Sequence, residues 1–282
     1  MKEYFDVPLS QLTTFKNEGV IGRLLVMETL EELCGFCRSN EDYILLGKGS
    51  NTVINPDTQV QTVLKLSPKM FRPVIDGNLL CVGAGTSVKQ LLDRCIDSGL
   101  SGLEFTAGVP ASVGGMVAMN FGCWGSCVAD LLTRVHVLKS NGSCEWMPIS
   151  SLGMGYRTSV FQQEDWVVLE AEFCCSIASS ESVKKQVLEQ IQDRLVKQPL
   201  REPTFGSAFK NPIGGYAAQL IEAVGLKGKQ FGDCVISDRH SNFMVNKGCV
   251  SFEELERVLS LIQDKVSRQF GADLELEVQL VS

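Results

Sequence analysis

The string Gly206-Ser207-Ala208-Phe209-Lys210-Asn211-Pro212 presents a hydroxyl, an ammonium and a carboxamide within five residues. Neither helical nor strand periodicity asks for it. Gly206 lets the backbone take angles that a side chain forbids, and Pro212 fixes the exit from the turn. A turn of this kind reads as a site that presents polar groups, not as a scaffold. Ser, Asn, Gly and Pro also make ordinary polar turns, so on its own the string leaves both readings open.

Two further segments carry chemistry. In Leu46-Gly47-Lys48-Gly49-Ser50-Asn51-Thr52-Val53 an apolar run enters Gly-x-Gly, followed by two hydrogen-bonding side chains. Consecutive bare amides in such a nest suit a pyrophosphate; a plain tight turn is the other reading. The spacing is not Gly-x-Gly-x-x-Gly, and no convincing helical pattern follows, so a dinucleotide-binding βαβ unit is not indicated. In residues 99–122, six of 24 positions are glycine while most others are apolar, which a disordered linker would not be. Backbone here must pack closely against a flat group or against itself.

These segments sit in a chain of 282 residues with 44% hydrophobic residues, 21% charged residues and a net charge of −7. Such a chain buries a sizeable core over two or three domains. The acidic balance and the lack of a Lys/Arg cluster argue against nucleic acid as a partner. No apolar run approaches the roughly 20 residues of a membrane helix, and the start has no signal-peptide core. A cytoplasmic protein with no membrane partner is expected. The odd count of eleven cysteines reads as reduced thiols. Cys34 and Cys37 form a C-x-x-C inside an apolar helical pattern, and His136 and His240 each stand alone, so no metal site is expected. Cys123, Cys127, Cys174 and Cys175 read as core filler.

The elements that must position these segments alternate between short strands and a few helices. Thr29-Leu30-Glu31-Glu32 is a capping-box start to a helix with Leu30, Leu33, Cys34 and Cys37 on one side, leading to the strand Tyr43-Ile44-Leu45-Leu46. Asp76-Gly77-Asn78 and Asn141-Gly142 are hairpin turns between apolar runs. Val88, Leu91, Leu92, Cys95 and Ile96 mark a helix that stops at Gly99. Val183, Val187, Leu188, Ile191 and Leu195 mark another, halted by Pro199. Ser251-Phe252-Glu253-Glu254 opens a last helix with Leu255, Val258, Leu259, Ile262 and Val266 inward. Leu274, Leu276, Val278 and Leu280 alternate with Glu275, Glu277 and Gln279 as in a strand. The fold class is α+β, with a mixed or antiparallel sheet.

Taken in order, the motifs resemble the UDP-N-acetylenolpyruvoylglucosamine reductase family, flavoenzymes of bacterial peptidoglycan precursor synthesis. Pro8-Leu9-Ser10-Gln11-Leu12-Thr13-Thr14-Phe15 is similar to the family's amino-terminal motif, residues 47–51 to its first flavin loop, and residues 100–122 to its second. Tyr156-Arg157-Thr158-Ser159-Val160-Phe161 resembles the catalytic arginine motif. Lys197-Gln198-Pro199 with residues 206–212, then residues 237–246 and 274–278, complete the set. The short connection from Lys197 to Ser207 resembles the family's second structural type. The chain departs from the usual pattern at Lys16-Asn17-Glu18-Gly19, at Ala111, and over residues 120–125.

The resemblance implies an FAD-binding domain of the vanillyl-alcohol oxidase-like (PCMH) type in two subdomains, residues 1–67 and 68–185, and an α+β substrate-binding domain, residues 186–282. It implies noncovalent FAD, NADPH as co-substrate and a UDP-sugar as substrate, in a monomer. The catalytic residues it implies are Arg157, Ser207 and Glu277. Alternation alone does not choose Glu277 over Glu275, since a solvated strand face fits both; the choice comes from the motif. The implied flavin contacts are Gly47, Lys48, Gly49, Ser50, Asn51, Val109, Pro110, Gly114, Gly115, Met119, Asn120, Gly122 and Arg157. The implied substrate contacts are Tyr156, Lys197, Lys210, Asn211 and His240. Read from the residues alone, His240 also fits a structural histidine and Lys197 a helix-dipole partner. Another flavin oxidoreductase of the same fold, or a flavin-binding protein without turnover, are the alternative functions.

Overall fold

A computed structural model describes residues 1–282. The chain forms two compact units, each assembled from separated segments: Met1–Tyr4, Leu24–Lys48 and Thr62–Gln192 in the first, and Phe5–Arg23, Gly49–Gln61 and Asp193–Ser282 in the second. No helix is long and apolar enough to cross a membrane.

The first unit is built on a five-stranded antiparallel sheet in the spatial order Cys144–Pro148, Leu132–Leu138, Val167–Cys174, Leu79–Gly83, Val74–Asp76. The two expected hairpins form its outer pairs. One face buries Val82, Val135, Val137, Ala171 and Phe173 against three helices: α2 (Val88–Ser98), α3 (Val113–Ala118) and α4 (Ser180–Lys197). The first helix, α1 (Leu30–Cys37), packs with Leu25, Leu64, Leu138 and Leu169 in a separate core. Its start is a capping box: Glu32 N donates to Thr29 Oγ1 at 3.2 Å and Thr29 N donates to Glu32 Oε2 at 3.1 Å. Helix α2 ends at Gly99, whose φ of 63° is a left-handed cap.

Several expectations are corrected. The strand after α1 is only Ile44–Leu45, parallel to Thr62–Leu66, because the chain turns at once into the glycine loop. Leu188 lies on the exposed side of α4 while Val183 and Val187 are buried. Among the cysteines taken for core filler only Cys175 is buried: Cys123 and Cys127 are half-buried, and Cys174 is exposed as the last residue of its strand, where successive side chains change faces. The glycine-rich segment hides helix α3. A Cβ at Gly114 would lie 2.9 Å from the Cβ of Ala84, so this glycine lets α3 press against the sheet.

The second unit holds α5 (Ala217–Ala223), α6 (Phe252–Phe270) and a three-stranded antiparallel sheet of Gln230–Phe231, Cys234–Ile236 and Met244–Asn246. Leu255, Val258, Leu259, Ile262 and Val266 of α6 pack on Phe15, Phe205, Phe209 and Ile236. Thr52–Ile54 pairs in parallel with Gln279–Val281. The carboxyl-terminal strand is therefore shorter than its alternation predicts. Leu274 and Val278 are buried and Glu275 exposed as the alternation requires, but residues 272–278 make only an isolated bridge, Phe209 to Leu276.

Candidate active site

The first glycine loop is fixed through its carbonyls. Thr14 N and Thr14 Oγ1 donate to Gly49 O at 2.9 and 3.3 Å. Gly49 has φ +63°, and a Cβ there would meet Leu12 O at 2.3 Å, so only glycine fits. In the first unit a Cβ on Gly47 would fall 2.4 Å from Ser112 Oγ and would displace that side chain. The amides of Lys48, Gly49 and Ser50 donate to no acceptor in the chain. Carbonyls tied down and amides left open make the arrangement that receives a phosphate group, so the loop fits an FAD diphosphate. In the second loop Ser112 caps α3, with Gly115 N donating to its Oγ at 3.3 Å. A Cβ at Gly115 would meet nothing nearer than that oxygen at 3.4 Å, so the backbone there is open. Val109 and Pro110 lie in the turn before α3, where Val109 N donates to Thr106 O at 3.1 Å, and Met119 closes the helix. Beside the first loop, burial and then the charge of Lys48 push the Lys65 ammonium down to about 8.

In the same unit Tyr156 and Arg157 are the central residues of a tight turn closed by Gly155 N to Thr158 O at 3.0 Å and Thr158 N to Gly155 O at 3.3 Å. Arg157 has φ +54°, a left-handed angle that turns usually give to glycine and that costs a side-chain-bearing residue about 1–3 kcal/mol. Its guanidinium donates to Gly122 O at 2.7 Å and lies over the rings of Phe121 and Tyr156 at 5.6 and 5.3 Å. Asn120, Gly122, Tyr156 and Arg157 are thus brought together. The Asn120 carboxamide is used within the chain: Nδ2 donates to Gly155 O at 2.7 Å and Oδ1 accepts from Ala129 N at 3.0 Å.

In the second unit Ser207, Glu277 and Asn51 meet from three distant segments. Ser207 bridges to Phe243. Glu277 N donates to Ala208 O, and Asn51 Nδ2 donates to Glu277 O, each at 2.8 Å. Asn242, which the sequence reading missed, holds the serine turn from behind: its backbone carbonyl accepts from Ala208 N at 2.8 Å, and its side chain exchanges hydrogen bonds with Phe209 at 3.0 and 2.8 Å. It lies inside the 237–246 motif, but nothing in that motif distinguishes a buried brace from a substrate contact. Lys210 pairs with Glu275 through their side chains. Asn211 Oδ1 accepts from Ala217 N at 3.1 Å at the start of α5. His240 packs edge-on to Phe243 at 4.7 Å, and burial, with the charge of Lys227, lowers its pKa, which favours the neutral ring. Lys197 is exposed in the last turn of α4, paired with Asp193 at 2.9 Å.

A glycine loop with its amides left open, in an α+β chain, fits the class of FAD-binding oxidoreductases. Residues 26–147 match the FAD binding domain family, and residues 198–281 match the UDP-N-acetylenolpyruvoylglucosamine reductase, C-terminal domain family. The UDP-N-acetylenolpyruvoylglucosamine reductase of Halalkalibacterium halodurans is 34% identical, with 97% of this chain and 92% of that protein covered. That of Alkaliphilus oremlandii is 30% identical, covering 98% and 92%. The crystal structure of the reductase from Thermus caldophilus superimposes with a TM-score of 0.83 at 32% identity, over 100% of this chain and 98% of that one. The chain belongs to the UDP-N-acetylenolpyruvoylglucosamine reductase family, and FAD is its cofactor.

Proposed function

We propose that the protein reduces UDP-N-acetylenolpyruvoylglucosamine to UDP-N-acetylmuramate with NADPH, in peptidoglycan precursor synthesis in the cytoplasm, as a monomer. The observation that carries this reading is the placement of Ser207 and Glu277, 70 positions apart, on either side of one hydrogen bond at Ala208. In this reading residues 1–67 and 68–185 take the flavin, and residues 186–282 the sugar nucleotide.

When bound, FAD would supply the hydride chemistry that links NADPH to C3 of the enolpyruvyl group. The bare amides of Lys48, Gly49 and Ser50 would hold the diphosphate, and Val109, Pro110, Gly114, Gly115, Met119 and Gly122 would border the flavin. As C3 gains hydride, negative charge gathers on the carboxyl side of C2. The Arg157 guanidinium stabilises it. Ser207 delivers the proton to C2; the developing enolate is basic enough to take a proton from an alcohol. Glu277 completes the set as the acid–base group beside the serine. Tyr156, Lys197, Lys210, Asn211 and His240 contact the sugar nucleotide.

The decisive measurement is NADPH oxidation with and without the enolpyruvyl sugar nucleotide. Oxidation that requires the sugar nucleotide and yields the lactyl ether product is expected. Oxidation sustained by dioxygen alone would identify another flavin oxidoreductase, and none at all a flavin-binding protein without turnover.

A further inference from the structure

We infer that Gln162 and Asn120 are positioning residues that hold Arg157 in its left-handed turn and so aim its guanidinium. The inference rests on the role proposed above for Arg157. Gln162 Nε2 donates at once to Ala118 O at 2.9 Å and to Arg157 O at 3.1 Å. Asn120, itself left-handed at φ +39°, reaches across to Gly155 O on the other side of the same turn. Ser159, fully buried, donates to Ala118 O at 2.6 Å, and the Arg157 side chain closes the loop at Gly122 O. Residues 155–162 are therefore stitched to residues 118–122 at four points.

The geometry explains why an arginine survives in a slot that favours glycine. A left-handed backbone at a non-glycine residue persists only where its surroundings over-determine it. Gln162 supplies that constraint at the carbonyl of Arg157, and Asn120 at the carbonyl of Gly155. Neither side chain has to touch a reactant. Asn120 is 6% exposed with both ends of its carboxamide occupied. Gln162 is exposed, so replacing it removes the bridge without opening a core. A guanidinium loosened by even an ångström loses much of its effect on a developing charge.

The test compares FAD-loaded wild type, Gln162→Leu, Arg157→Ala and the double variant. Gln162→Leu should lower kcat about 10-fold or more, with KM for the enolpyruvyl sugar nucleotide held within about 2-fold and with flavin content and melting temperature unchanged. In the Arg157→Ala background it should cost nothing further, because the group it positions is gone. Losses that multiply, an unchanged kcat, or a loss that follows flavin release would each overturn the inference. If Arg157→Ala turns over like wild type, the catalytic role of Arg157 fails instead. The crystal structure of Gln162→Leu then decides the positioning: residue 157 should leave the left-handed region and part from Gly122 O, and an unchanged turn would refute it.

Discussion

The side chain of Asn51 donates to the main-chain carbonyl of Glu277 at 2.8 Å, while Gln279 N donates back to Asn51 O at 2.9 Å. The last residue of the first glycine loop is thereby a splint for the candidate catalytic glutamate. Replacing the donor by an acceptor should break it. Asn51→Asp sets a carboxylate oxygen against the Glu277 carbonyl and should destabilise the protein by about 1–3 kcal/mol, read as a shift in the urea midpoint. An unchanged midpoint would mean that the loop holds Glu277 by its backbone alone.

Glu277→Gln should lower kcat by roughly 10²-fold or more, whereas Glu275→Gln should stay within about 2-fold. The Glu275 side chain is 72% exposed and pairs with the half-buried Lys210; a carboxylate so open to solvent contributes little. Steady-state rates, with flavin content checked for each variant, separate the two. A damaging Glu275→Gln would shift the active glutamate by two positions.

Ser207→Ala should leave flavin reduction by NADPH nearly intact and slow reoxidation by the sugar nucleotide by roughly 10²-fold. Stopped-flow measurement of each half-reaction distinguishes proton delivery from a change in flavin geometry, which would slow both.

Lys65 titrates near 8 in the folded protein against 10.5 when free. Its folded-state pKa is depressed, so between these values the unfolded chain holds a proton that the folded chain has lost, and stability rises with pH across that window. Below it the cost of keeping the buried ammonium charged is fully present. Lys65→Met should therefore raise the melting temperature of the flavin-free protein at pH 7, with an advantage that shrinks toward pH 10. A constant advantage would point to packing in place of charge.

Much of this was legible where the signal is local. Thr29 with Glu32 announces α1, Asn141-Gly142 announces a hairpin, and Gly99 marks the end of α2, because each acts within a turn of chain. Helix α3 was not legible, since glycines at 114 and 115 weaken helix propensity and the reason for Gly114, contact with Ala84, lies 30 positions away. The strand at the carboxyl end was overread because its alternation reflects burial against α6, not a ladder. The motif order pointed to Arg157, Ser207 and Glu277, but not to Asn242 or Gln162. Both act through main-chain carbonyls, whose positions no side-chain pattern records.

The interleaved segments of the second unit set a timetable for synthesis. Phe15 packs against Phe205 with ring centroids 4.9 Å apart, and Ile54 pairs with Val281. A ribosome making the chain has released every segment of the first unit once residue 192 emerges. The amino-terminal strip of the second must wait, apolar side chains uncovered, for residues 279–281 to arrive. Such late closure is where nascent chains are most open to misassembly and chaperone capture. Residues 279–281 supply the partner strand of Thr52–Ile54, so the unit that carries Ser207 and Glu277 cannot complete this pairing until they have been made.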